Sequence, residues 1–301
     1  MRVFVTGSSG WVGSAVVKDL LASGHRVLGL VRSDAAAKKV ADLGADVVHG
    51  TLDDLDVLRQ GATQVDGVIH TAFNHDFSKI VESSVQEKRA IEAIASVLEG
   101  SQRPFIVTSG VALLAPGRVT SEDDATRPPL ESFPRNPETT AFAFGERGVR
   151  VAAIRLAPTV HGIGDNGFVP RLVQLARQKG VSAYVDGGRN RWPAVHRLDA
   201  ARLYRLALEN GSAHGPFHAI AEEGVTLRQI AEAIGRGLNI PVVSLSGDKA
   251  AEHFGWFAGF AGIDCPSSSP RSRSLLDWKP EQRTLLEGMA EPAYFEAHDH
   301  P

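Results

Sequence analysis

Gly7, Gly10 and Gly13 stand three residues apart in Thr6-Gly7-Ser8-Ser9-Gly10-Trp11-Val12-Gly13, a spacing that suits phosphate binding by the main chain. Residues 2–5 form a short apolar run of the kind that becomes a buried strand, and residues 14–21 carry apolar side chains at helical spacing. In a strand–turn–helix unit of this type Gly7 permits the tight turn. Gly10 lets the backbone approach a pyrophosphate, and Gly13 lets the helix lie close to the strand. The helix N-terminus adds free N–H groups and a partial positive charge. Thr6, Gly7, Ser9, Gly10, Trp11, Val12 and Gly13 are therefore the expected contacts to a dinucleotide cofactor.

A second set of residues has the chemistry for proton transfer. His75 follows the fourth apolar run, His161 follows the sixth, and His196 lies in an extended segment further on. An unperturbed histidine titrates near pH ~6.5, which suits proton exchange near neutrality. His75 and His161 are the candidate proton carriers, with His75 close in sequence to the expected cofactor-lining residues. Asn74, Phe77, Phe168, Trp192 and His196 are expected to line a substrate pocket. No Cys/His cluster has zinc-like spacing, so no metal is expected.

The elements that must position these groups alternate. Strands are expected at residues 26–31, 45–50, 65–72, 103–109 and 150–156, with helices between them, the longest at 81–98. That rhythm predicts an α/β protein with a Rossmann-type doubly wound parallel sheet. The second strand ends in Val31-Arg32-Ser33, where an acid would grip the ribose 2′-hydroxyl of NAD. An Arg and a hydroxyl suit a 2′-phosphate instead, so NADP is the expected cofactor and NAD the alternative. Thr51 and Leu52 are expected near the adenine, and Thr71, Ala72 and Phe73 along the cofactor. Residues 115–137 interrupt the rhythm with six prolines or glycines around the acidic run Ser121-Glu122-Asp123-Asp124. Asn136-Pro137 then reads as an N-cap and first helical position.

The dinucleotide-binding domain is expected over residues 1–160, with 192–210 returning to it. Residues 161–191 and 211–292 are expected to form a smaller C-terminal substrate-covering region, and 293–301, with His298 and His300, a tail. The chain has 301 residues, is 43% hydrophobic and 22% charged, and carries a net charge of −3. Such a balance offers no footprint for nucleic acid, and no apolar run is long enough for a membrane span. The first strand begins at residue 2, which leaves no room for a signal peptide. Cys265 is the sole cysteine, so no intrachain disulfide forms and the cytoplasm is the expected compartment.

Five segments, in order, resemble the extended or atypical short-chain dehydrogenase/reductase superfamily, which holds NAD-dependent epimerases and dehydratases. Thr6 to Gly13 is similar to its TGxxGxxG motif, and Gly67-Val68-Ile69-His70-Thr71-Ala72 to its VIHxA strand. Ile154-Arg155-Leu156-Ala157-Pro158-Thr159-Val160-His161-Gly162 resembles its RPxxVYG segment, with His161 at the common Tyr. Val195-His196-Arg197-Leu198-Asp199-Ala200-Ala201 resembles VHVDDvA, and Leu275-Leu276-Asp277-Trp278-Lys279-Pro280 the closing LGWkP.

The resemblance implies a Ser or Thr at Thr108-Ser109 that bonds the substrate heteroatom, which makes Ser109 and Thr108 catalytic candidates. It also implies a Tyr-x-x-x-Lys pair for proton transfer, and here the chain departs. Its three tyrosines, Tyr184, Tyr204 and Tyr294, are followed four residues later by Gly188, Leu208 and His298. The slot falls near residues 130–134, a proline-bearing loop. The expected activity is NADPH-dependent reduction of a small organic carbonyl, imine or enone with a proton donor other than tyrosine. The alternatives are a non-redox isomerase, cyclase or lyase with a structural cofactor, and an NADP-sensing binding protein. A small-molecule substrate is the expected partner, and the resemblance implies a homodimer.

Overall fold

The computed structural model describes residues 1–211 and 215–296. The chain opens with β1 (Arg2–Thr6), β2 (Arg26–Val31), β3 (Asp46–His49), β4 (Gly67–His70), β5 (Pro104–Gly110) and β6 (Arg150–Leu156). It then gives β7 (Thr159–His161), β8 (Ser182–Val185) and β9 (Arg191–His196) to a second lobe before β10 (Phe217–Ala219) returns. The central sheet has seven strands in the order β10-β6-β5-β4-β1-β2-β3, and every pair is parallel. Val3, Phe4 and Val5 are wholly buried, as expected of a parallel sheet covered on both faces. The order reverses at β1, which lies between β2 and β4. Ligands of open α/β sheets bind in the crevice at the carboxyl ends of the strands beside such a reversal.

Helices α1 (Trp11–Ala22), α2 (Asp34–Ala41), α3 (Leu55–Thr63), α4 (Ile80–Ser96), α5 (Pro137–Phe142), α6 (Phe168–Lys179) and α7 (Arg197–Leu206) follow in the first two-thirds of the chain. On one face Val16, Val17 and Leu20 of α1 join Ala200, Leu203 and Tyr204 of α7 against Val5, Ile106 and Ile154. On the other, Leu58, Ile91, Ile94 and Ala141 cover Phe4, Phe105 and Val107. Asn136 caps α5, its side chain accepting from Thr139 N, with Pro137 at the first turn.

The second lobe holds β11 (Glu222–Thr226), α8 (Leu227–Leu238), β12 (Val242–Leu245), α9 (Gly247–Phe254), α10 (Ala258–Ala261) and α12 (Leu285–Met289), while α11 (Pro270–Leu276) packs on β10 and α7 of the first lobe. β11-β9-β7 make a small sheet and β12-β8 a two-stranded one. Val169, Leu172, Trp192, Ile230, Phe254 and Phe257 form its core.

Four boundaries differ from the sequence reading, the first being β9, expected within 192–210 to return to the first domain but paired with β7 and β11 in the small sheet. β10 lies inside residues 211–292 yet completes the central sheet beside β6. Trp278 is fully buried in the first lobe's core, its Nε1 donating to Asp199 O at 2.9 Å. The expected tail at 293–301 begins with Tyr294 and Phe295, which are buried in the second core. Apolar side chains that find a core are not a tail, whatever their place in the chain. His298 and His300 lie outside the described residues.

Candidate active site

The β1–α1 turn has no room for side chains at the expected places. Gly7 takes φ 68°, and a Cβ there would lie 2.8 Å from Ala72 N. A Cβ on Gly13 would lie 2.0 Å from Gly7 O. Gly10 is exposed, starts α1 without any side-chain cap, and donates its N–H to Gly7 O at 2.9 Å. The first N–H groups of α1 are thus left for a ligand, and the cradle fits a pyrophosphate. Ser9 is exposed beside Gly10. Thr71 Oγ1 donates to Thr6 O at 2.8 Å and pins β4 to the turn. Trp11 Nε1 donates to Val160 O at 2.7 Å, and the Arg197 guanidinium lies 4.1 Å from the indole centroid. Arg197, which sequence reasoning missed, brings a cation to the helix N-terminus.

The carboxyl ends of β4 and β5 form the next wall. Strand alternation sends Thr108 to the face of Ile106 and Ser109 to the face of Val107. Thr108 Oγ1 donates to His70 O at 2.8 Å and pairs with Tyr204 OH at 2.7 Å. His70 is fully buried, 2.8 Å from Thr6 Oγ1 through Nδ1, and burial, then the Arg135 charge, hold its pKa down at about 3. The Thr108 hydroxyl is therefore committed to two protein partners, a correction to its catalytic reading. Ser109 is 3% exposed and its Oγ has no hydrogen-bond partner among the described residues.

Arg135 comes to the same place from the loop before α5. Its Nε and Nη2 donate to the Glu87 carboxylate at 2.9 and 2.7 Å, and Nη2 also to Thr108 O at 3.1 Å. Its guanidinium carbon lies 4.3 Å from the Phe73 centroid. Glu87, on α4, is buried; burial raises its pKa and the Arg135 fork opposes the rise. Sequence reasoning missed both. The available signal was an arginine directly before the Asn136-Pro137 cap, inside the loop that fills the Tyr-x-x-x-Lys slot.

His75 sits beside this wall, its ring 5.2 Å from Phe73 and 6.3 Å from Phe77. The residue keeps solvent contact. Burial of the ring among these neighbours and the Arg135 charge lower its pKa. Phe77 continues the aromatic strip to Phe168 at 6.3 Å, Trp256 at 5.8 Å and Phe260 at 5.5 Å. Asn74 is exposed and accepts from Asp76 N at 3.2 Å.

Other expected site residues are used structurally. His161 is 1% exposed, neither ring nitrogen has a hydrogen-bond partner among the described residues, and Nε2 stands 3.8 Å from Glu222. Burial and neighbouring His196 push its pKa down to about 3. His196 on β9, Glu222 on β11 and Gly288 on α12 enclose the ring, and burial keeps it neutral, so His161 leaves the catalytic set. Trp192, 1% exposed, stands behind Phe168 at 6.0 Å as core and not as pocket wall. His196 Nδ1 accepts from Leu198 N at 3.3 Å and caps α7. Thr6 is fully buried, and Val12 packs against the core. Thr51 Oγ1 bonds Asp54 at 2.8 Å, and Leu52 packs under β3. Ser33 caps α2 by accepting from Ala36 N, and Arg32 beside it is exposed.

Fold and cradle together are those of a dinucleotide-binding α/β protein, with the glycine turn at the point where the strand order reverses. The sequence pattern of the NAD dependent epimerase/dehydratase family matches residues 3–220, and the chain belongs to that family. An uncharacterized protein of Schizosaccharomyces pombe is 49% identical over 298 residues, covering 98% of this chain and 100% of that one. A 4-hydroxy-2-methyl-3-oxo-4-farnesyl-3,4-dihydroquinoline-1-oxide ketoreductase of Stigmatella aurantiaca is 28% identical over 85% of this chain and 80% of its own. A dTDP-glucose 4,6-dehydratase from Streptomyces venezuelae, solved with NAD bound, superposes with TM-score 0.77 at 20% identity, covering 98% and 96% of the chains. Among the described residues no helix is long and apolar enough to cross a membrane.

Proposed function

We propose that the protein is an NADPH-dependent reductase of an organic carbonyl, imine or enone, with a proton source other than tyrosine. The observation that carries this reading is the set of groups gathered at the carboxyl ends of β1, β4 and β5. There the uncapped end of α1, Phe73, the solvent-contacting residue His75 and Ser109, whose buried hydroxyl has no partner among the described residues, lie at neighbouring strand ends. When bound, the nicotinamide gives or takes a hydride. The cradle from Gly7 to Gly13 holds the pyrophosphate, and Thr71, Ala72 and Phe73 hold the nucleotide against β4. Ser109 bonds the substrate heteroatom, and His75 exchanges the proton with solvent. Exposed Arg32 favours the 2′-phosphate, while the nearby acid, Asp34, stands 3.9 Å from His49.

The substrate's body is apolar and planar. Phe77, Phe168 and Phe260 offer ring faces, and Trp256, stacked on Phe77, is 57% exposed. The Stigmatella relative, a ketoreductase of a farnesyl-bearing dihydroquinoline oxide, acts on a body of that kind. The assembly read with this function is a homodimer through α4. Val81, Val85 and Leu130 are 45%, 50% and 64% exposed beside a groove of about 360 Å³ between α4 and α5. Sedimentation should give a dimer that Val85→Glu splits; a monomeric wild type would remove the dimer from the account.

The proline loop at 130–134 supplies no phenol, which favours a second reading: isomerisation or elimination with the cofactor structural. Following nicotinamide absorbance across aromatic ketones, imines and enones separates the two. Substrate-dependent oxidation of NADPH is expected. Turnover without any absorbance change selects the second reading.

A further inference from the structure

We propose that Arg135 replaces the missing Tyr-x-x-x-Lys pair, presenting the free Nη1 edge of its guanidinium as a hydrogen-bond donor to a neutral oxygen of the bound ligands. Three of its five N–H groups are committed, two to Glu87 and one to Thr108 O, which leaves the Nη1 pair. Nη1 has no hydrogen-bond partner among the described residues and is not among the sealed polar atoms, and the side chain is 14% exposed, so this edge is free to meet a ligand held beside Phe73. The bidentate fork on buried Glu87 and the contact with Phe73 fix the plane of the group before any ligand arrives. An oriented cationic donor of this kind favours oxygen that gains negative charge during reduction. An arginine stays protonated throughout. It therefore donates a hydrogen bond and not a proton, which leaves proton delivery to His75 or water.

The acceptor is either the carbonyl oxygen of the substrate or a hydroxyl of the nicotinamide ribose, and both are neutral oxygens at the same crevice. The proposal rests on the crevice being the nicotinamide site. NADPH titration of the wild type tests that reading by itself. Arg135→Gln and Arg135→Lys test the guanidinium, with thermal unfolding as the control for folding. If the ribose is the acceptor, Arg135→Gln weakens NADPH binding roughly ten- to a hundred-fold by calorimetry, the loss of one hydrogen bond from a charged donor. If the substrate oxygen is the acceptor, affinity stays and kcat falls by that factor. Arg135→Lys keeps the charge without the fork and recovers part of either loss. A histidine NMR titration adds a readout independent of turnover: the His75 pKa rises in Arg135→Gln, because the neighbouring charge is gone. Arg135→Lys, or Arg135→Gln, folded and with unchanged NADPH affinity and unchanged kcat overturns the proposal while the crevice reading stands. A wild type that binds neither nucleotide overturns both.

Discussion

His75 and Thr108 show how neighbouring groups decide which side chain is free to react. The His75 pKa lies below the ordinary 6.5, so the ring is mainly neutral at pH 7. Reduction consumes a proton, and the protonated fraction of His75 grows as pH falls. We expect kcat/KM for reduction to rise on acidification with an inflection below pH 6.5, and His75→Asn to abolish that inflection; an unchanged profile in the variant assigns the proton to water. Thr108 has the opposite character. Thr108→Val strands His70 O and Tyr204 OH and should cost about 1–3 kcal/mol of stability in denaturant titration, with NADPH affinity unchanged. Full stability combined with collapsed turnover would return Thr108 to the reacting set. Adjacent strand residues face opposite sides of a sheet covered on both, and sequence alone did not say which of Thr108 and Ser109 would find protein partners. The same limit hid the burial of His161: a strand-end position is local, but the cover over it comes from Glu222 and Gly288, far along the chain.

At the level of elements, what was legible was what is local. The β1–α1 unit announced itself through an apolar run, a glycine turn and helical spacing, all within twenty-two residues. The Asn136-Pro137 cap and the parallel strand rhythm were readable for the same reason. The Arg135–Glu87 pair spans 48 residues and joins a loop to α4, so no periodic signal marks it. β10, three residues long, was invisible because its apolar run is too short to show a period. The cradle carries its own prediction. Gly10 is exposed and sits at the N-cap, where Asp is a favoured residue, and its ideal Cβ would stand 3.1 Å from Gly7 O. The turn must shift by a few tenths of an ångström to admit Gly10→Asp, so its melting temperature is the folding control, while a carboxylate at the α1 N-terminus repels the pyrophosphate. Calorimetry should show NADPH binding lost; retained affinity in a folded variant would remove the cradle assignment.

Across the whole molecule, buried titratable groups tie stability to pH. His70 and His161 are held near pKa 3 and His218 near 4, all chiefly by burial. Each is neutral when folded and protonates near 6.5 when unfolded. Their stabilisation is complete above pH 6.5 and is lost as pH falls toward 4 and below. Asp165, raised to about 7 by burial, works the other way: its contribution is full below the ordinary 3.8 and is lost as pH rises to 7. Three histidines against this carboxyl leave a net uptake of protons on unfolding, so the melting temperature should drop steadily from pH 6.5 to 4.5. A flat melting curve across that window would mean these rings are not sealed. The two lobes meet around the crevice, and the central claim is that this crevice is built for NADP(H). Calorimetric titration of the purified protein with NADPH and NADH, repeated on Arg32→Ala, tests that claim most directly. NADPH should bind more tightly than NADH, with the preference erased in Arg32→Ala. A folded wild type that binds neither nucleotide would contradict it.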